Sequence, residues 1–367
     1  MLGMVDLGRM IEEYRQEYNA VWQSLLNKGD FIRGEWIHGL ERQWEKRIGN
    51  GMHCVAVGSG TAALEILFKR IRHLKFAGSV LMPAVTFWAT AEAIFNAGMT
   101  PILVDVDERG LIDLEDAERK LRYDTISICG VSLYGQVPDP EKMKAFAEEH
   151  SLLIVEDAAQ AHGSERVGEV ADYVAWSWYP AKTVGAFGDA GMIGTKSEEC
   201  AAYMESLADH GRAGHNQHDL WGTNARMSTL QAGILQVQLS HLDEWCQARR
   251  NVLGWYKQHI GETPWKMLPF KDDEIPHLMI ILVPSKMRDE LVVCLNGMGI
   301  GARVHYPIAL HQQPAWLRKY GRMVRPQAEA FTSQCITLPM HPWLTEENVV
   351  HICHVLYESG RELRELW

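Results

Sequence analysis

Four continuous apolar runs, TPILVDVD, TISICGVS, LLIVEDAA and YVAWSWY, follow one another between residues 100 and 179, with the helix-patterned PEKMKAFAEEHS where there is room. A strand that is apolar along its whole length is covered on both faces. Strands separated by helices run parallel, because each crossover returns the chain to the same edge. CVAVGS and SVLMPA extend the series upstream, followed by the helical patterns GTAALEILFKRI and WATAEAIFNAG. The pattern predicts an α/β large domain, a mainly parallel central sheet flanked by helices. In such sheets ligands gather beyond the carboxyl ends of the strands, and Ser59, Asp157 and Lys182 all fall there.

The flanking regions complete the outline. Residues 8–48 read as helices with a break at Asn27–Gly34, and after Gly191 the chain reads as helical. SEECAAYMESLADHG leads to a long run from Met227 to Ile260, the bridge out of the large domain. From about residue 262 a strand at LMIILVP, a helix near SKMRDELVVCLNGMG and a terminal helix from Thr345 make a small α+β domain. The expected division is 1–245 and 246–367. A net charge of −11 and a pI near 5.8 exclude a nucleic-acid surface, which needs a basic face. No segment has the apolar length of a membrane span, and the charged N-terminus is no signal peptide. Seven scattered cysteines without a CxxC pair suit free thiols in a reducing cytoplasm. His351, Cys353 and His354 match no zinc spacing, so no metal site is expected.

The chemistry concentrates between Leu152 and Gly191. One run of β-formers ends in Asp157 and the next leads into SWYPAK, which carries Lys182. That pair suits pyridoxal phosphate (PLP): a lysine amine forms a Schiff base with the cofactor aldehyde, and a carboxylate pairs with the pyridinium nitrogen. Gln160 has the reach to hydrogen-bond the ring oxygen. His162 reads better as a satisfied structural histidine than as a catalytic one. Ser177 can offer a hydroxyl to a phosphate, and GAFGDAG lets chain and cofactor approach closely. Gly58–Leu64 (GSGTAAL) opens a helix with small residues, which suits an anion but equally a plain strand-to-helix turn. Phe87 and Trp88 follow a strand, where an aromatic can stack on a flat ring or simply pack in the core.

Taken together, GSGTAAL, PAVTFWATAEAI, LYGQVPD, VEDAAQAHG, WSWYPAKTVGAFGDAG, NARMSTLQAGIL and HYPIALHQQPAW resemble the DegT/DnrJ/EryC1/StrS family of PLP-dependent sugar aminotransferases, of fold type I. The resemblance implies that Lys182 carries the cofactor, that Asp157 faces the pyridine nitrogen, and that Gln160 faces the ring oxygen. It implies ring stacking by Phe87 and phosphate contacts from Gly60, Thr61 and Ser177. Asn224 matches an asparagine that reaches the phosphate of the neighbouring subunit, which implies a homodimer with shared active sites. His305, Tyr306 and His311 lie where relatives line the substrate pocket. Three positions depart from the family pattern: Thr183 where Asn is common, Ala190 where Gly is common, and Ala225 where an aromatic or Ser is common. A branch that replaces the lysine by histidine performs deoxygenation, and this chain keeps Lys182.

The expected activity is transfer of an amino group from L-glutamate or L-glutamine to a nucleotide-linked keto-sugar, as in amino sugar biosynthesis. Alternatives are amination of a keto-cyclitol and, further off, a PLP-dependent lyase or aldolase. A non-enzymatic regulator is disfavoured by the intact Lys182, Asp157 and Asn224.

Overall fold

A computed structural model describes residues 2–75, 77–260 and 265–365. Its centre is a seven-stranded sheet of β1 (His53–Val57), β2 (Ser79–Pro83), β3 (Thr100–Val104), β4 (Thr125–Val131), β5 (Leu153–Asp157), β6 (Tyr173–Ser177) and β7 (Gly191–Thr195). The strand order is β1-β7-β6-β5-β4-β2-β3. From β6 through β5, β4 and β2 to β3 every neighbouring pair is parallel, as the continuous apolar runs require. β7 runs against both of its neighbours, pairing Gly191 with Ser177 on one side and with Val57 on the other. The sequence reading missed β7: GMIGT carries two glycines and no alternation, so its strand character comes from the partners on either side.

Helices cover both faces. The N-terminal helices are α1 (Leu7–Glu13), α2 (Arg15–Lys28) and α3 (Glu35–Ile48). The crossovers and the element after β7 are α4 (Gly60–Lys75), α5 (Trp88–Asn96), α6 (Leu114–Lys120), α7 (Pro140–His150) and α8 (Glu198–Ala208). Their starts follow local chemistry. Asp113, Asp139 and Ser197 each accept a hydrogen bond from a first-turn backbone N–H. α2 ends on Gly29 in the left-handed region, a conformation glycine adopts without Cβ strain. One face of the sheet packs around Trp44, whose ring meets Trp176 and Trp178 edge-on at 5.5 and 5.6 Å, all three fully buried.

A short hairpin, β8 (Arg212–Gly214) and β9 (Gln217–His218), precedes α9 (Thr229–His259), 31 residues long. α9 leads to a three-stranded antiparallel sheet of β10 (Lys266–Met267), β11 (Met279–Leu282) and β12 (Cys335–Leu338). α10 (Arg288–Gly297), α11 (Pro314–Tyr320), α12 (Pro326–Gln334) and α13 (Glu346–Glu365) surround it. One hydrophobic cluster runs without a break from α4 and β2 to β11, β12 and α13. Arg249 of α9, 2% exposed, joins the regions. Its Nη1 donates to the carbonyls of Pro276, His277 and Met340 at 3.1, 3.2 and 3.1 Å. Burial pushes its ionisation down to about 10.

Candidate active site

The carboxyl edge of β5 and β6 holds the two groups that the sequence singled out. Asp157 is the last residue of β5 and is 5% exposed. Its Oδ2 accepts from Thr90 Oγ1 at 2.8 Å and its Oδ1 from the Ala159 N–H at 3.2 Å. Burial raises its pKa above the ordinary carboxylate value, opposed by these hydrogen bonds and by the charge of Lys182. The preceding Glu156, on the opposite face of the strand, accepts from Ser132 Oγ and the Gly168 N–H. Burial pushes it up to about 6.

Lys182 sits on the β6–β7 hairpin loop. Its N–H donates to the Tyr179 carbonyl at 2.8 Å, and the loop closes through Trp178 N–H to Ala190 O and Ala186 N–H to Trp178 O. Gly185 lets the turn fold this tightly, since a Cβ there would lie 2.4 Å from the Pro180 carbonyl oxygen. The lysine retains partial surface exposure, yet protein packed around it brings its pKa down to about 8, against the pull of Asp157. A neutral amine is therefore accessible near physiological pH, as a nucleophile or base requires.

Beside this loop the start of α4 meets the end of β6. A Cβ on Gly60 would lie 2.5 Å from Ser177 Cβ and 3.0 Å from Ser177 Oγ, so a glycine is required at this contact. Gly191, across from Ser177, is equally constrained: a Cβ would approach the Ser59 carbonyl oxygen to 2.3 Å. Ser59 Oγ accepts from the Ala62 N–H, and Thr61 lies partly exposed in the first turn. The Gly58 N–H donates to Ala225 O at 2.7 Å, which brings residues 224–226 alongside. Asn224 itself is exposed, and Trp221 nearby is wholly exposed.

On the other side stand the aromatic and amide groups. Phe87, 58% exposed, presents an unburied ring 6.0 Å from that of Tyr306, while Trp88 opens α5 and packs against the core. Gln160 is 7% exposed; its Nε2 donates to Tyr306 Oη at 3.2 Å and its Oε1 accepts from the Tyr134 N–H at 2.7 Å. Burial, reinforced by Asp157, raises the Tyr306 phenol, which stays protonated. His305 Nδ1 lies 2.9 Å from Thr337 Oγ1, and burial with Arg303 and Lys182 nearby holds it down at about 4. Lys182, Asp157, Gln160, Tyr306 and His305 therefore share one electrostatic neighbourhood. His311 takes a different place: it is 1% exposed with Nε2 on Glu329 Oε1 at 2.9 Å, in a turn held by Leu310 N–H on Ala84 O.

Three residues of this neighbourhood carried no assigned role in the sequence. Thr90 lies on the first turn of α5 and is fully buried. Tyr134, fully buried with φ 63°, donates its hydroxyl to the His305 carbonyl; LYGQVPD contained it without signalling this contact. His277 is buried behind the lysine loop. Among the described residues no His/Cys/Asp/Glu group could hold a metal, and no helix is long and apolar enough to cross a membrane.

The residues fit PLP. A buried carboxylate, supported by two donors, suits a pyridinium N–H. A depressed lysine amine suits an aldehyde. The glycine-walled contact between α4 and Ser177 suits a phosphate, and an exposed phenyl face suits a flat ring. Fold and site together define a PLP-dependent aminotransferase of fold type I. The DegT/DnrJ/EryC1/StrS aminotransferase family model matches residues 12–357, and the chain belongs to that family. It is 33% identical to a pleiotropic regulatory protein of Geobacillus stearothermophilus, over 98% of each chain. It is 32% identical to a UDP-N-acetyl-3-dehydro-alpha-D-glucosamine 3-aminotransferase of Acidithiobacillus ferrooxidans, over 96% of each. Among solved structures it superposes on DesV of S. venezuelae with a TM-score of 0.91 and 30% identity, covering 97% of this chain and 98% of that one.

Proposed function

We propose that the protein aminates a nucleotide-linked 3-keto-hexose, drawing the amino group from L-glutamate or L-glutamine. The observation that carries this reading is the mutual electrostatic field of Asp157 and Lys182 at the carboxyl edge of β5 and β6, in a chain of this family. The relative that names a 3-dehydro sugar supports the position of amination.

PLP, when bound, supplies the electron sink that stabilises a carbanion at the donor α-carbon. Asp157, whose carboxylate form Thr90, Ala159 and Lys182 favour against the burial that raises its pKa, would face the ring nitrogen and favour its protonated form. Lys182 would hold the cofactor through its amine and, as a neutral amine, would take up and deliver the proton of the donor α-carbon. Gly60, Thr61 and Ser177 would hold the phosphate, Phe87 would offer its face to the ring, and Gln160 would have an N–H left for the ring oxygen. His305 and Tyr306 face the sugar, and His311 fixes the turn beside β2.

Asn224 completes the phosphate site of a second copy. This reading is supported by its exposure and by the half-open Phe87 ring, both of which a partner would cover. The homodimer works in the cytoplasm, where its seven free cysteines stay reduced. The chain divides near residue 245, within α9, into a large and a small domain.

The test is the visible spectrum of the protein titrated with PLP, then with L-glutamate, then with a UDP-linked 3-keto-hexose. A yellow band that bleaches with the donor and returns with the acceptor is expected. Lys182→Ala abolishes the cycle. A protein that binds no PLP overturns the reading and favours the regulatory role that the Geobacillus relative's name carries. Mixing Asn224→Ala and Lys182→Ala protomers restores part of the lost activity; no rescue overturns the shared site.

A further inference from the structure

The loop that carries Lys182 is pinned from two directions. From α9, the fully buried Gln238 accepts from the Gly185 N–H at 2.8 Å and donates to the Gly185 carbonyl at 2.6 Å. From the segment before β11, His277 meets the residue next to the lysine: its Nδ1 lies 3.4 Å from Thr183 Oγ1. Both partners are buried, at 5% and 6% exposure. His277 is itself fixed at its backbone, with its N–H on the Tyr134 carbonyl at 2.8 Å and its own carbonyl on Arg249 at 3.2 Å. Tyr134 N–H continues to Gln160 Oε1, and Gln160 Nε2 to Tyr306 Oη. One bonded path therefore runs from the lysine loop, through the C-terminal segment, to the amide and phenol on the far side of the site.

We propose that the Thr183–His277 pair is a positioning device for Lys182, setting the direction of its amine relative to the Gln160–Tyr306 pair. The proposal rests on the PLP reading of this site. A positioning role needs a neutral imidazole, which offers one donor and one acceptor nitrogen to a hydroxyl. Burial holds His277 well below the ordinary histidine range, and Lys182, Arg249, His162 and His305 all push the same way. Asp157 is the opposing charge on Lys182. The separation of 3.4 Å is at the long end of a hydrogen bond. Thr183 reaches to His277 through its hydroxyl, directly after the turn that the Lys182 N–H closes on the Tyr179 carbonyl.

The experiment uses the PLP-loaded enzyme and follows its lysine–cofactor absorbance from pH 6 to 10, together with the rate of bleaching by L-glutamate. Thr183→Val keeps the volume and removes the hydroxyl; His277→Gln removes the imidazole; Thr183→Asn supplies a replacement hydrogen-bonding group. In Thr183→Val we expect the spectral midpoint to move by about 0.7 pH unit and bleaching to slow about five-fold, the factor carried by one net hydrogen bond. The donor concentration for half-maximal rate stays unchanged. Thr183→Asn stays within about two-fold of wild type, and Thr183→Val/His277→Gln shifts no further than either single variant. A Thr183→Val midpoint that coincides with wild type, or an additive double variant, overturns the positioning role. A wild-type protein that forms no band overturns the cofactor reading instead, so the two failures are distinguishable without any sugar acceptor.

Discussion

Thr90 shows how a site acquires parts that no local pattern marks. It lies 67 residues before Asp157 in the chain, yet its hydroxyl supplies the shortest hydrogen bond to that carboxylate. Removing it in Thr90→Val leaves the buried charge with one donor. A hydrogen bond to a charged group is worth about 1.5–3 kcal/mol, so PLP affinity should fall about ten-fold or more while the fold survives. A fluorescence titration of PLP binding measures this, and unchanged affinity would remove Thr90 from the site. Asp157 and Lys182 were legible because each ends or follows a run of β-formers. Thr90, Tyr134 and His277 were not, since their contacts span 67, 26 and 94 residues and arise only when the sheet assembles.

At the scale of elements, two glycines have opposite expectations. Gly60 begins α4 against Ser177, and Gly60→Ala would place a carbon 2.5 Å from Ser177 Cβ. Overpacking of this kind costs about 1–3 kcal/mol, and here it also separates the helix start from the strand end that together would hold a phosphate. Gly254 lies within α9 with nothing within 4 Å of its would-be Cβ, so Gly254→Ala should stabilise by about 0.5–1 kcal/mol. Urea unfolding of both variants decides the matter, and a stable Gly60→Ala with full PLP affinity would refute the tight contact. Six of the seven central strands were legible as apolar runs. β7 was not, because its register depends on β1 and β6 rather than on its own GMIGT.

Over the whole molecule, buried histidines dominate the response to acid. Burial holds His162 at about 3, His305 and His341 at about 4, and His277 well below its ordinary value. Below pH 6.5 the unfolded chain binds protons that the fold refuses, so stability is full above that value and falls as pH drops. Glu156, raised to about 6, opposes this in part by taking up a proton while folded. The urea midpoint should fall between pH 7.5 and 5.5. His341→Gln, 5% exposed in wild type, should flatten the slope by up to about 1.4 kcal/mol per pH unit, the share of one proton. Identical slopes in the two proteins would rule that histidine out. Arg249→Met, which strips three carbonyls of their donor, should cost about 3 kcal/mol in the same measurement.

α9 begins just after the segment that carries Asn224, touches the lysine loop through Gln238, and grips the small sheet through Arg249. At 1.5 Å per residue its 31 residues make a shaft about 46 Å long. Held by the lysine loop at Gln238 and by the segments flanking the small sheet at Arg249, it makes one continuous element of the loop that carries Lys182 and the C-terminal strands.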